Sequence, residues 1–267
     1  MKVREVFLQG KYKDGMGCED GYLINDDFVV VVDGATSQKE YLWDGKASGE
    51  YAKDLILEAM KTMPADTDCD SCFEILHGRL KSQFAKGKAV PIWEELRASL
   101  LVYSDYYQEI WCLGDCNFMV NDCLYENGKK VDTVIAEVRS MLIRSLLAEG
   151  KSEADLLRKD VSRDLIMELI KRQYYLENMD CEFGYPELNS TSLNTHMIKR
   201  LKVKKDDRIV LATDGYPELK ATLEESEQEM RRVMQEDPLC YKIYRSTKGL
   251  QEDMVNYDDR CYVSFEV

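Results

Sequence analysis

The sequence predicts an α+β protein in which layered sheets are covered by helices. Strand-like stretches fill the N-terminal region, a helical periodicity takes over between residues 132 and 176, and strand-like stretches return towards the C-terminus. Hydrophobic residues make up 45% of the 267-residue chain, which is enough for a substantial core. No low-complexity tract or Pro/Gly-rich linker divides the sequence, so we expect a single domain spanning residues 1–267.

The first half of the chain predicts seven strands and two helices. The strands are valine-rich or alternate in polarity and are bounded by Gly, Asn and Asp. Two helices are expected at about 46–60 and 72–84, and the last four strands of this half are interpreted as an antiparallel meander with tight turns. The predicted strands are 3–8, 21–24, 28–32, 98–104, 108–113, 118–121 and 123–126.

A helical pair is predicted at about 132–176. The apolar residues of its first helix recur at helical spacing until Gly150, and Ser152 with Asp155 forms a capping pattern for the second. We interpret the apolar stripes as packing surfaces rather than a docking surface. The stripes are Ile135, Val138, Leu142 and Leu146, then Leu157, Val161, Leu165 and Leu169. Strands at 195–201, 208–212 and 261–267, with a helix at about 223–235, complete the chain.

The charge balance limits the partners of the protein. The chain carries 36 Lys and Arg against 50 Asp and Glu, a formal net charge of −14, and an acidic surface repels the phosphate backbone of nucleic acids. We find neither the apolar core of a signal peptide nor an apolar run of ~18 residues. We therefore expect a cytoplasmic protein with no nucleic-acid and no membrane partner, whose nine scattered cysteines are reduced.

Acidic residues stand at the ends of several predicted strands. An Asp-Gly pair taken singly is typical of a turn. Carboxylates gathered at the ends of adjacent buried strands, however, cannot all remain ionised without a cation, and oxygen ligands without histidine favour Mg²⁺ or Mn²⁺. The stretches are "CEDGYL" with Glu19 and Asp20, "DDFVVVVDGATS" with Asp33, "WCLGDCNFMV" with Asp115, "DDRIVLATDGY" with Asp214, and "YDDRCYV" with Asp258 and Asp259.

In this order the motifs resemble the metal-dependent protein phosphatase family, type 2C, over residues 19 to 263. The strongest of them are "VVVVDGATS" and "IVLATDG". The resemblance implies a four-layer α-β-β-α sandwich of two antiparallel sheets flanked by helices, with two Mn²⁺ or Mg²⁺ ions in a cleft. It also implies a third, weaker ion at Asp115 in bacterial relatives, and a phosphorylated protein as substrate.

The resemblance assigns each acidic residue a place in the site. It implies that Asp33 bridges both ions, that the Gly34 carbonyl binds one, and that Asp214 and Asp258 hold the other. Glu19 and Asp20 would support the site through waters. We select Asp258 rather than Asp259 as the ligand because "DDRCYV" aligns better that way. Asp33 and Asp214 are thus the residues on which catalysis would depend.

Two divalent cations ~3.5–4 Å apart can hold a bridging water as hydroxide for in-line attack on phosphorus, so no amino-acid nucleophile is required. This chemistry suits a chain with two histidines.

Two positions depart from the family pattern. Ala35 stands where eukaryotic members carry a histidine, and Gly15 stands where members often carry a phosphate-binding arginine. Lys11 and Lys13 are the nearest cations, and Lys13 is the candidate phosphate-binding residue, with a solvated turn residue as the alternative.

The leading hypothesis is a metal-dependent serine/threonine protein phosphatase. A second hypothesis is a 2C-fold protein that binds phosphoproteins or a regulatory partner with little or no hydrolysis, and the missing arginine favours it. A third is an unrelated acidic domain whose Asp-Gly pairs are all turns. Metal binding separates the first two from the third, and turnover separates the first from the second.

Overall fold

The computed structural model describes residues 1–36, 40–84 and 90–267, and Ser37 of the stretch "DDFVVVVDGATS" lies outside them. Within these residues the chain forms eleven strands and six α-helices. The strands are β1 (Lys2–Gln9), β2 (Asp20–Ile24), β3 (Phe28–Gly34), β4 (Arg97–Ser104), β5 (Glu109–Leu113), β6 (Asn117–Val120), β7 (Cys123–Tyr125), β8 (Leu188–Asn189), β9 (Lys199–Lys202), β10 (Arg208–Ala212) and β11 (Arg260–Glu266). The helices are α1 (Ser48–Met60), α2 (Cys69–Phe84), α3 (Lys130–Ala148), α4 (Glu153–Arg158), α5 (Val161–Gln173) and α6 (Leu223–Glu236).

The strands form two antiparallel sheets, which confirms the predicted α+β class. One sheet has the order β1-β11-β10-β6-β7, and the other has the order β2-β3-β4-β5-β9, with β8 added to β4. The valine run of β3 is buried on both faces. Val29 and Val31 point into the core between the sheets with Leu211 and Val263, while Val30 belongs to the core beneath α1 and α2.

Helices cover the six-stranded sheet on its outer face. α1 and α2 bury Ile56 and Phe73 there, in one core with Val102. On the outer face of the five-stranded sheet, Tyr262 packs under Tyr216, in the segment that leads to α6. Each sheet therefore has one face in the central core and one face in an outer core, as expected of a layered sandwich.

The predicted four-stranded meander at residues 98–126 is wrong in its connection between β5 and β6. These two strands lie in different sheets: β5 pairs with β4 and β9, whereas β6 pairs with β10 and β7. The turn between them crosses from one sheet to the other at Gly114, whose φ is +103°. Hydrophobic alternation specifies which face of a strand is buried but not which sheet the strand joins.

The predicted second helix of the pair at 132–176 is also wrong, because it is broken into α4 and α5. Asp160 begins α5 as its N-cap, accepting a hydrogen bond from the backbone N–H of Arg163. The apolar residues buried on these two helices are Leu156, Ile166 and Ile170, whereas Leu165 of the predicted stripe is 56% exposed. The Ser152 capping box is present as predicted, at the start of α4.

None of the nine cysteines, all of which the structure describes, is paired in a disulfide. Among the described residues, no helix has both the length and the hydropathy required to cross a membrane.

Candidate metal centre

Asp33 lies at the end of β3, where three strands meet. Its neighbours across the sheet are Asp20 on β2 and Ser99 on β4. The residue that follows must be glycine because the chain is packed against α1 there: a Cβ at Gly34 would stand 2.3 Å from the carbonyl oxygen of Gly49. The Asp-Gly pair therefore lies where β3 packs closely against α1, and this packing fixes the position of Asp33 at the edge of the sheet.

Asp115 is positioned by the crossing between the two sheets. A Cβ at Gly114 would lie 2.1 Å from Oγ of Ser99, and the positive φ of Gly114 also favours glycine. The Ser99 hydroxyl donates to Oδ1 of Asp115 at 2.6 Å and accepts from the Asp115 backbone N–H at 3.2 Å. The Gly-Asp turn is thus fastened to β4, next to Asp33.

Asp214 and Asp258 come from the five-stranded sheet. Asp214 follows β10, whose pairing with β11 is extended by a hydrogen bond from Thr213 N to the Cys261 carbonyl at 3.1 Å. Oxygen atoms of Asp33, Asp115 and Asp214 all lie within 4.8 Å of one another. Asp258, just before β11, lines the same cleft of about 630 Å³.

The acidic pair lies beside this cluster, and its two members have different surroundings. Asp20 is buried, and its Oδ2 has no hydrogen-bond partner among the described residues. Glu19 is buried too, and its Oε2 accepts from Nζ of Lys11 at 2.9 Å. Its backbone carbonyl accepts from the Gly34 N–H at 3.0 Å, which ties the pair to the end of β3.

Asp258 and Asp259 are distinguished by what their carboxylates contact. Asp259 accepts hydrogen bonds from two backbone N–H groups, that of Lys11 at 2.7 Å and that of Glu19 at 3.1 Å. Its oxygens thereby hold the N-terminal loop in place. Asp258 instead lines the cleft with the other carboxylates, which supports its selection as the candidate ligand.

The pKa values of the carboxylates show where positive charge is lacking. Burial, together with repulsion from neighbouring carboxylates, raises the pKa of Asp33 and Asp20 well above the usual range and that of Asp214 to about 7. Burial also opposes ionisation of Asp115 and Asp258, but the ammonium groups beside them outweigh it and lower both pKa values.

The uncompensated carboxylates fit a divalent cation. Among the described residues, no lysine or arginine forms an ion pair with Asp20, Asp33 or Asp214. A buried carboxylate oxygen without a partner, next to an all-oxygen donor set, is an environment that Mg²⁺ or Mn²⁺ suits. The residues present therefore agree with the cation that the sequence predicts.

Three lysines partly neutralise the rim of the cluster. Lys11 is buried against Glu19, Asp258 and Asp259. Lys129 lies 2.9 Å from Oδ2 of Asp115 and 3.1 Å from Oε2 of Glu187, and Lys248 pairs with Asp258.

The predicted phosphate-binding residue, Lys13, lies elsewhere. Its side chain is exposed and its Nζ donates to the carbonyl of Glu252, and it is not among the residues that line the cleft. Gly15 is exposed in a turn with φ +68°. The basic residues that do line the cleft were not singled out by the sequence, because they stand in a strand, in helices or in loops without a recognisable motif. They are Arg97, Lys129, Arg163, Arg245 and Lys248. Ser99 and Glu187 were not singled out either.

Comparison with solved structures finds the same fold in bacterial phosphatases. The Mycobacterium tuberculosis serine/threonine phosphatase PstP/Ppp matches with a TM-score of 0.52 and 13% identity, covering 100% of this chain and 99% of that one. The catalytic domain of PstP in complex with two manganese ions matches with a TM-score of 0.52 and 12% identity over 100% of both chains. Serine/threonine phosphatase Stp1 from Staphylococcus aureus matches with a TM-score of 0.49 and 11% identity, covering 100% of this chain and 95% of that one. No protein-family model and no curated protein matches the sequence.

At these identities the likeness to PstP shows the fold alone. The chain has the fold of the type 2C, metal-dependent serine/threonine phosphatases, and the resemblance inferred from the sequence motifs is confirmed at that level.

Proposed function

We propose that this protein is a phosphatase that hydrolyses phosphoserine and phosphothreonine in proteins with the help of two Mn²⁺ or Mg²⁺ ions. The observation that carries the proposal is the meeting of Asp33, Asp115 and Asp214, from both sheets, with carboxylate oxygens within 4.8 Å. The fold shared with PstP supports it, and the PstP catalytic domain was solved with two manganese ions.

Each residue has a part in this proposal. Asp33, with the Gly34 carbonyl, Asp214 and Asp258, would hold the two ions, and Asp115 would hold any third one. Ions bound there would lower the pKa of a water and neutralise charge on the phosphoryl oxygens. Asp20 lies beside Asp33, and its Oδ2 has no partner within the described ranges; it would hold ordered water at the edge of the site.

Neither histidine of the chain is placed in the cleft as a nucleophile. His77 on α2 contacts the Asn189 carbonyl through Nδ1 at 2.8 Å, and neither it nor His196 lines the cleft. Ala35 lines the cleft at the position that carries a histidine in eukaryotic members of the family. Proton transfer to the leaving alkoxide would therefore come from water or from another group of the cleft.

A second candidate function is a phosphoprotein-binding protein that hydrolyses little. The observation that favours it is the pairing of Asp258 with Lys248 and Lys11, because two ammonium groups compete with a cation for this carboxylate. Such competition would weaken metal binding without removing the other ligands.

Hydrolysis of a phosphothreonine peptide separates the two candidates. We would measure phosphate release by the full chain with Mn²⁺, with EDTA, and for Asp214→Asn, using Asp206→Asn as the matched control because Asp206 is exposed. A phosphatase shows Mn²⁺-dependent release that EDTA and Asp214→Asn abolish and the control retains. Absence of release, with binding of the phosphopeptide intact, identifies the binding protein.

A further inference from the structure

The cleft has a basic side as well as an acidic one. Its acidic residues include Asp33, Asp115, Asp214 and Asp258 of the metal centre, and Arg163 on α5 and Lys248 in the loop after α6 also line it. A phosphate monoester is a dianion and is repelled by a cluster of carboxylates. Its binding therefore requires positive charges, such as basic side chains, in addition to those that neutralise the cluster. Gly15 stands where related sequences often carry a phosphate-binding arginine, so this basic side chain is missing from that position.

In the part of the chain that the structure describes, Arg163 differs from the other arginines of the cleft in forming no ion pair with a carboxylate. Arg97 pairs with Glu177 at 2.7 Å, and Arg245 pairs with Glu137. Within the described residues, the guanidinium of Arg163 makes one hydrogen bond, from Nη1 to the Thr247 carbonyl at 2.8 Å. Burial lowers its pKa, in agreement with a positive charge that its surroundings do not fully compensate.

The position of Arg163 in its helix is also unfavourable for a cation. Arg163 stands in the first turn of α5, where the helix dipole favours negative charge. Its backbone N–H donates to the N-cap Asp160 at 3.0 Å, so the residue is fixed at this end. A positive charge placed at a helix N-terminus and beside a cleft suits the binding of an anion.

The same contact brings Lys248 next to Arg163. Thr247, whose carbonyl Arg163 holds, immediately precedes Lys248. The ammonium of Lys248 pairs with Asp258 and lies 3.3 Å from Oγ1 of Thr36, which follows the β3 end of the metal centre. The two cations are therefore linked through one peptide segment and stand at the border of the acidic cluster.

Helices α3 and α5 hold the loop after α6 in place. Arg139 on α3 is fully buried and donates from Nη1 to the Leu239 carbonyl at 2.8 Å and to the Ser246 carbonyl at 3.1 Å. Its Nη2 pairs with Asp160 at 2.6 Å. α3 and α5 thus each fasten the loop by one arginine.

We propose that Arg163 and Lys248 bind the phosphoryl group of the substrate, in place of the arginine that the chain lacks at position 15. The inference rests on the proposed function and names the substrate-binding groups of that site, for a phosphate monoester as ligand. The guanidinium binds two phosphoryl oxygens through its parallel N–H groups, and the ammonium acts as a point charge. The helical segment then supplies a substrate-binding residue as well as packing.

Binding of inorganic phosphate to the Mn²⁺-loaded full chain tests the proposal by calorimetry, independently of turnover. The variants are Arg163→Met, Arg163→Lys and Lys248→Met, with Arg158→Met as the control because Arg158 is exposed on α4. We expect the phosphate affinity to fall about ten-fold or more in Arg163→Met and in Lys248→Met, and less in Arg163→Lys, which retains the charge. The control should bind like the wild type.

Mn²⁺ affinity and melting temperature are measured for each variant, so that a loss of phosphate binding through a damaged metal centre is recognised. Wild-type phosphate affinity in both Arg163→Met and Lys248→Met overturns the proposal, as does a loss fully accounted for by weaker Mn²⁺ binding. If Arg163→Met does not fold, wild-type phosphate affinity in both Arg163→Lys and Lys248→Met overturns the proposal instead.

The result is distinguishable from failure of the proposed function. Peptide turnover by the wild type, with unchanged phosphate affinity in the variants, contradicts this inference and leaves the phosphatase in place. Phosphate binding that depends on Arg163, without any turnover, contradicts the phosphatase and supports the assignment of the binding groups.

Discussion

Replacing Asp214 by asparagine should stabilise the metal-free protein. Burial and the charges of Asp115 and Asp258 raise the pKa of Asp214 from 3.8 to about 7. When the pKa of a group is higher in the folded than in the unfolded state, its contribution to the free energy of unfolding is most favourable below the unfolded-state pKa. That contribution is lost as the pH rises through the folded-state pKa. The rise is roughly three pH units at ~1.4 kcal/mol each, so ionised Asp214 lowers the free energy of unfolding by on the order of 4 kcal/mol above neutral pH.

Asparagine keeps the shape of the side chain and removes the charge. We therefore expect Asp214→Asn to raise the free energy of unfolding in EDTA by about 1–4 kcal/mol near pH 8, and by much less near pH 4. In Mn²⁺ the order should reverse, because the wild type gains binding energy that the variant cannot obtain. Urea denaturation at both pH values, with and without the metal, measures these differences.

Asp206→Asn serves as the control, because Asp206 is exposed and asparagine tolerates its φ of +69°. A variant Asp214→Asn that is less stable than the wild type in EDTA near pH 8 would contradict this prediction. It would mean that other groups already compensate this carboxylate and that the cluster does not need a cation.

Three further substitutions test the construction of the site. Gly34→Ala should lower the free energy of unfolding by about 3 kcal/mol and weaken Mn²⁺ binding, because its Cβ would meet the Gly49 carbonyl at 2.3 Å; urea denaturation and calorimetry measure both effects. Lys129→Met should lower the free energy of unfolding in EDTA by about 3–5 kcal/mol, since it leaves the buried carboxylates of Asp115 and Glu187 unpaired. Mn²⁺ should restore part of this stability by binding at Asp115. Arg139→Met should cost a similar amount of about 3–5 kcal/mol with or without Mn²⁺, because its partners lie outside the metal centre; the same denaturation series checks it.

Matched variants give these measurements their reference. Gly78→Ala is the control for Gly34→Ala, because a Cβ at Gly78 meets no atom within 4 Å and alanine favours the helix. Lys130→Met is the control for Lys129→Met, since Lys130 forms an exposed ion pair with Glu182. A Mn²⁺-dependent rescue of Arg139→Met equal to that of Lys129→Met would contradict the distinction between the two networks.

The sequence predicted the acidic residues of the site because local rules place them. A buried strand that ends on Asp-Gly is recognisable from the valine run before Asp33 and the apolar run before Asp214. The order of such motifs along the chain then identified the fold, which the comparison with PstP confirms. The roles assigned to individual carboxylates, including Asp258 as a ligand, stay predictions.

The basic residues of the cleft could not be predicted in this way. Arg163 and Lys248 meet through Thr247, and this contact joins parts of the chain 84 residues apart. No local pattern encodes such a contact. The break before α5 likewise has no Gly or Pro to mark it, since the sequence reads "RKDVS". Asp160 begins the new helix, where its carboxylate accepts from the backbone N–H of Arg163 and pairs with the distant Arg139.

Calorimetric titration of the full chain with Mn²⁺, for the wild type and Asp33→Asn, tests most directly that the carboxylates form a metal centre. We expect saturable binding by the wild type that is lost or strongly weakened in Asp33→Asn, while Asp206→Asn binds like the wild type. Equal Mn²⁺ binding by the wild type and Asp33→Asn, or no binding by either, would contradict it.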